Sequence, residues 1–384
     1  MISRKGYRYE LKPTAQQAEQ FSRFAGTARL VWNKGLELQN SRQKNNERSL
    51  SYAEMCRRLV EWKEELNFLK EVHSQPLQQT LKDLLRASKD CFDGIRGNPK
   101  FKKKGEHDAF RFPQGAKVKD AKVYLPKIGW VSFRKSQKIE GTIKNVTVSR
   151  SMGKWFVSFQ VEIEVADPVH PSTTEIGIDM GVIRFATLSD GTFVAPINSF
   201  GKFKKKLERA QRRLSKKEKY SNNWRKQKLK IQQIHAKVAH VRKDFLHKLT
   251  SSISKNHAMV VLEDLRVKNM SASAKGTIED PGKNVKAKSG LNRAISDQGW
   301  HEFRRQLEYK QQWKGGQVIV VHPANTSLKC SLCHHKAKEN RVSQAVFKCL
   351  ACQHEEHADL NAAKNILAAG RAVNACGDIR QNAA

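Results

Sequence analysis

The chain has 384 residues, enough for two or three packed units, and 39% of them are hydrophobic, so most of it is expected to fold. Lys and Arg number 72 against 37 acidic residues, a formal net charge of +35; such a charge repels itself in a compact protein unless a polyanion neutralises it, and nucleic acid rewards many cationic contacts through counterion release. No run of 18 apolar residues and no leader-like start is present, so a cytoplasmic protein without a membrane span is expected, and an anionic membrane surface is the weaker competitor for the basic charge.

Residues 3–11 alternate and predict a short strand, after which Pro13 and Thr14 open a helical stretch. Apolar residues at three- and four-residue spacing, such as Phe21, Phe24, Leu30, Val31 and Leu36, predict helix from Gln16 to about Ser88. Gln75 and Gln79 are four apart there, so their amides can face one groove, and Gln pairs bidentately with adenine. Residues 98–105 form a basic loop in which Lys102, Lys103 and Lys104 are candidate phosphate contacts. Residues 116–165 come in short alternating runs with Gly punctuation, which predicts antiparallel sheet paired with the N-terminal strand.

Residues 167–172 read as a linker, and Glu175–Leu188 as a buried strand, a Gly turn and a second strand. Residues 202–248 are helical and very basic, with a break near Tyr220–Asn223. Lys204, Lys205, Lys206, Arg212, Arg213, Lys216 and Lys217 are candidate phosphate contacts there, and Leu207, Leu214, Leu229 and Ile231 the buried stripe. A strand over 258–262, a mobile loop over 270–290, an amphipathic helix over 299–313 and a strand over 318–321 follow, the pattern of a mixed α/β domain.

Cys330-x-x-Cys333 and Cys349-x-x-Cys352 are separated by fifteen residues. Two such knuckles suit one tetrahedral zinc, and four thiolates leave no open position for water, so the ion is structural. Cys56, Cys91 and Cys376 read as ordinary thiols, and the nearby His334, His335, His354 and His357 as facing solvent or nucleic acid.

Three acids stand out. Asp179 follows the apolar run Ile176-Gly177-Ile178, Glu263 follows Met259-Val260-Val261-Leu262, and Asp359 precedes the helix-like Leu360–Leu367. Each alone has an ordinary explanation: a turn shaper, a loop acid, a helix N-cap. Together they can hold two Mg²⁺ ions about 4 Å apart, the arrangement that activates water and stabilises the leaving oxygen in phosphodiester hydrolysis.

Gly177-Ile178-Asp179-Met180-Gly181, Leu262-Glu263-Asp264-Leu265, the two Cys pairs and Asp359-Leu360-Asn361-Ala362-Ala363-Lys364-Asn365-Ile366 follow one another as in the TnpB family, which the chain resembles over nearly its whole length. Residues 7–14, Gly26-x-x-Arg29-x-Val31-x-Asn33, 99–102 and the helix from Gly299 resemble it too. TnpB proteins are insertion-sequence-encoded relatives of type V CRISPR effectors. The resemblance implies a multi-domain α+β fold: a helical recognition lobe over 14–104 inserted in an oligonucleotide-binding β-barrel (the wedge) over 1–13 and 105–170, then an RNase H-like RuvC α/β domain over 171–384 with a zinc ribbon inserted over 326–356.

It further implies an RNA-guided DNA endonuclease with Asp179, Glu263 and Asp359 as catalytic Mg²⁺ ligands and Cys330, Cys333, Cys349 and Cys352 as zinc ligands. The guide would come from the element's own end, one RNA per monomer, and the enzyme would cut double-stranded DNA beside a short flanking motif, nucleoid-associated while bound. Two departures are visible. Where relatives often carry Gly after the second and fourth ribbon cysteines this chain has His334 and Gln353, and where they often carry Arg before the last Asp it has Ala358. The competing functions are a cleavage-deficient guided repressor, a transposition accessory factor or DNA-joining transposase, and a guide-free junction nuclease; three retained carboxylates and the long basic surface favour the guided nuclease.

Overall fold

The computed structural model describes residues 1–106 and 108–381, and contacts divide the chain into two compact units, Met1–Ala166 and Asp167–Ala384. The first begins with strand β1 (Ile2–Lys12), whose alternation buries Ser3, Tyr7, Tyr9 and Leu11. Thr14 and Gln17 form a capping box that starts helix α1 (Ala15–Lys44), and Ser51 and Glu54 form another that starts α2 (Tyr52–Glu65). After a 3-10 turn at Asn67–Lys70 comes α3 (Ser74–Phe92).

Six strands follow: β2 (Ala109–Phe112), β3 (Lys117–Lys119), β4 (Lys122–Leu125), β5 (Gly129–Phe133), β6 (Thr142–Ser151) and β7 (Lys154–Glu164). They join β1 in an antiparallel sheet ordered β2-β6-β7-β1-β5-β4-β3. β1 thus pairs with β7, as its alternation predicts, while β2 lies outside the expected sheet segment. No pairing between β2 and β3 closes this sheet among the described residues. The helices inserted between β1 and β2 share its core: Phe24 meets Phe110 with ring centroids 5.1 Å apart, and Arg29 pairs with Asp108 at 2.5 Å, both largely buried.

The second unit contains β8 (Glu175–Met180), β9 (Ala186–Leu188), β10 (Phe193–Val194), α4 (Ser199–Ser215), α5 (Asn222–Asn256), β11 (Met259–Glu263), α6 (Val267–Met270), α7 (Val285–Gln298), α8 (Trp300–Lys314), β12 (Gln317–Val321), β13 (Val346–Lys348), β14 (Glu355–His357) and α9 (Ala358–Gln381). Five of these strands form one sheet ordered β10-β9-β8-β11-β12, with β9 antiparallel and β11 parallel to β8. β11 is buried along its whole length, as its unbroken apolar run requires of a central parallel strand. The two sheet faces are covered differently. Ile176, Ile178, Val260 and Leu262 pack with Leu246 and Ile253 of α5 and Phe303 and Leu307 of α8, whereas Met259, Val261 and Val321 pack with Ile366 of α9.

Two expectations need correction here. Residues 285–290 of the supposed loop belong to α7, because Lys288 Nζ and the Asn292 amide anchor that helix on the backbone carbonyls of Met270 and Ser271. In the α4–α5 pair the buried stripe is Leu207, Ala210, Gln227, Ile234 and Val238, while Leu214, Leu229 and Ile231 are only half-buried: the helices break at 216–221, which resets the phase of the apolar face.

Candidate active site

Strand parity fixes where two of the three acids go. Ile176 and Ile178 face α5 and α8, so Gly177 and Asp179 face the other side of β8. On β11 the same alternation puts Met259, Val261 and then Glu263 on that side. The last registered pair of the two parallel strands is Leu262 with Ile178, so one residue further along each strand stand Glu263 and Asp179, at the carboxyl edge of the sheet. The helix covering that face is α9, and Asp359 lies in its first turn.

Glycine sets how close α9 comes. A Cβ on Gly177 would sit 2.3 Å from the Ala363 carbonyl oxygen and 2.7 Å from the Leu367 nitrogen, and one on Gly370 would sit 2.3 Å from the Val261 side chain. Backbone therefore rests on backbone, and Asp359 reaches the cavity of about 300 Å³ that Asp179 and Glu263 also line. The same walls carry Arg184, Thr326 and Arg341. Asp359 is not the N-cap that it would be in isolation: its own N–H donates to His357 Nδ1 at 3.1 Å.

The acids repel one another in a dry place. Burial first, then the charges of Glu263 and Asp359, push the Asp179 carboxyl up to about 7, against the pull of Arg341 and the Met180 N–H. Burial also raises Glu263, which accepts from the Thr326 hydroxyl at 2.5 Å. Arg341 stands 3.9 Å from Asp359. Arg184 lays its guanidinium over the Phe193 ring at 3.9 Å and leaves Nη1 buried without an acceptor. Three carboxylates facing one cavity suit a hard divalent ion, whose charge would favour their ionised forms.

The four cysteines converge independently. All four sulfurs lie within 4.8 Å of one another, the one such group of metal-ligating side chains among the described residues. Cys330 and Cys352 sulfurs are 3.7 Å apart and those of Cys333 and Cys349 are 3.5 Å apart. A tetrahedron with metal–sulfur bonds of about 2.3 Å has an edge of about 3.8 Å, so the set fits one ion. The knuckles are built alike: Cys330 N–H donates to the His335 carbonyl and Cys349 N–H to the His354 carbonyl. Backbone N–H groups of Cys352 and Ala351 favour the Cys349 thiolate, whereas the sulfurs crowded around Cys333 oppose its ionisation, the split expected of close thiols that share protons. Asn361 of α9 ties this region down, accepting from Ser331 N–H at 2.9 Å and donating to the Lys329 carbonyl at 2.8 Å.

Comparison with known proteins decides the family. The chain is 53% identical to the "Putative RNA-guided DNA endonuclease InsQ" of Escherichia coli (strain K12), over 98% of this chain and 94% of that protein. It is 35% identical to a "Putative RNA-guided DNA endonuclease" of Streptomyces pristinaespiralis, over 98% and 91%. A family model described as "Probable transposase" (OrfB of IS605) matches residues 158–274. The chain belongs to the TnpB family.

Two more models match this TnpB chain, a "Cas12f1-like, TNB domain" over 300–366 and a "Helix-turn-helix domain" over 1–48. The latter span is here strand β1 and the single helix α1. Among solved structures, "Structure of the mini-RNA-guided endonuclease CRISPR-Cas_phi3" aligns over 95% of this chain and 92% of that one, with a TM-score of 0.50 and 11% identity, a likeness of fold.

The TnpB candidates for nucleic-acid contact divide by exposure. Lys103, Lys104, Lys204, Lys205, Lys206, Arg212, Arg213 and Lys216 are exposed, and Lys217 is half-buried. Lys102 turns inward: its ammonium lies 3.5 Å from the Trp32 ring centroid, and burial pushes it down to about 8. Gln79 donates to Asp83 at 2.9 Å, and the Gln75 side-chain oxygen is buried without a donor. His357, expected to face outward, instead packs against Phe193 at 5.3 Å. Sequence reasoning missed Arg184, Thr326 and Arg341 because single polar residues in loops carry no periodic or spacing signal.

Proposed function

We propose that the protein is a transposon-encoded, RNA-guided DNA endonuclease that cuts guide-matched DNA beside a short flanking motif, with Asp179, Glu263 and Asp359 as its catalytic carboxylates. The observation that carries this is their meeting in one cavity from two strand ends and a helix start, in a chain of net charge +35. Its relatives bear the name of RNA-guided endonucleases. On this reading 171–384 is the RuvC domain, whose sheet order is consistent with the RNase H-like type, 326–356 its zinc ribbon, 14–104 the recognition lobe, and 1–13 with 105–170 the wedge, an open antiparallel sheet among the described residues rather than the expected closed barrel. Guide RNA from the element's own end and double-stranded DNA are the partners, and the exposed lysines and arginines of α4 contact phosphates. No helix among the described residues is long and apolar enough to cross a membrane.

Asp179, Glu263 and Asp359, which line one cavity, would hold the Mg²⁺. Bound there, Mg²⁺ would supply an activated water and charge stabilisation at the leaving oxygen. The protein's own groups do the rest. Thr326 fixes the Glu263 carboxylate, His357 holds the start of α9 and so the Asp359 carboxylate, and Arg341 and the unpartnered Arg184 nitrogen offer donors to a phosphate oxygen. The cysteine set holds structural zinc. The test is to purify the protein with its copurified RNA and challenge it with guide-matched plasmids carrying a randomised flank. Cutting that needs Mg²⁺ and RNA, is confined to one flank and is lost in Asp179→Ala with binding retained is the expected result. Tight RNA-dependent binding without cutting would instead identify a guided repressor.

A further inference from the structure

A second cavity, of about 360 Å³, shares a wall with the carboxylate cavity: Met180 and Glu263 line both. Its far wall is Leu265, Val267 and Trp300, and its mouth carries Lys268 and Asn269, both exposed. The volume lies at the small end of the range for pockets that take organic ligands. Trp300 is 3% exposed, and its indole N–H is buried with no acceptor in the protein. The lining is thus apolar along the wall and cationic at the rim, where Arg266 and Lys268 are exposed.

We propose that this cavity receives one nucleobase of the DNA strand being cut, next to the scissile phosphate. The inference rests on the nuclease reading, which places that phosphate among Asp179, Glu263 and Asp359. The chemistry fits a base more closely than a purely apolar ligand. A base brings a flat face to lie against the apolar wall and, with it, a backbone phosphate for the cations at the rim. Lys268, together with the neighbouring exposed Arg266, adds charge where the strand's backbone would cross the mouth. Because Met180 and Glu263 belong to both cavities, a strand whose phosphate sits at the carboxylates has an adjoining base at this opening.

The experiment uses the full chain with its copurified RNA and guide-matched DNA. One abasic nucleotide is moved, position by position, along the cut strand, and cleavage is timed for the wild type and for Asn269→Trp, which closes the mouth from an exposed position. At one position beside the cut, removal of the base should slow the wild type about tenfold, and in Asn269→Trp that penalty should shrink to less than about twofold. In parallel, 2-aminopurine at the same position should be quenched on binding in EDTA, and the quench should be lost in Asn269→Trp. No sensitive position, a penalty unchanged in Asn269→Trp, or no quench would overturn the proposal. Position-specific quench without any cutting in Mg²⁺ would keep the pocket and overturn the nuclease reading instead.

Discussion

Gly177 sets the spacing between the strand that carries Asp179 and the helix that carries Asp359. A methyl group there meets backbone atoms at 2.3 and 2.7 Å, which no rotamer change relieves. Gly177→Ala is expected to destabilise the fold by about 1–3 kcal/mol and, where still folded, to cut more slowly because α9 is displaced; denaturant melts with cleavage rates check both. Lys310 illustrates a different residue-scale cost. It is 8% exposed and donates to the His247 carbonyl at 2.8 Å, Thr250 Oγ1 at 2.7 Å and Ser251 Oγ at 2.8 Å. Burial pushes its ammonium down to about 8. Between that pH and the ordinary lysine value of about 10.4 the unfolded chain holds the extra proton, so this residue makes stability rise with pH across that window and contributes no slope below it. Melting temperature followed from pH 7 to pH 10.5 should show that component in the wild type and lose it in Lys310→Met.

Among elements, α9 has three duties: it covers the sheet, presents Asp359 and clamps the cysteine region. Asn361 is fully buried and bonds Ser331 and Lys329, and Asn365 donates to the Thr326 and Lys329 carbonyls. Metal loss should therefore reach the carboxylate cavity. Cys333→Ser is expected to lower bound zinc, to expose residues between Thr326 and Glu356 to limited proteolysis, and to slow cleavage; unchanged zinc content and digestion would refute the ligand role. The knuckles also account for the glycines that relatives often carry at positions 334 and 353. His334 and Gln353 both hold left-handed backbone, at φ +64° and +58°, the conformation that glycine adopts without steric cost.

At the scale of the whole molecule, the charge of +35 makes affinity for RNA and DNA a function of salt. The logarithm of the RNA association constant should fall linearly with the logarithm of salt concentration. Replacing the exposed Arg212 and Arg213 together by Gln should reduce that slope by about two and leave the cut position unchanged. Filter binding at several salt concentrations decides it; an unchanged slope would mean these residues touch no phosphate.

Much was legible without coordinates. The β1 alternation, the apolar β8 and β11 runs, the break near Tyr220 and the paired Cys spacing are local patterns, because strand parity, helix phase and metal geometry each leave a fixed spacing in the chain. The same patterns marked Asp179, Glu263 and Asp359 as acids at element ends and, through resemblance, the family to which the chain belongs. The local patterns did not determine convergence. That Asp359, 180 residues after Asp179, shares a cavity with it depends on the glycine-lined contact of α9 with β8, a fit between two surfaces far apart in sequence. The inward turn of Lys102 onto Trp32, the burial of Lys310 and the orphaned Trp300 donor likewise arise from packing around them, and a charge or an indole in a sequence does not say whether water or protein will surround it.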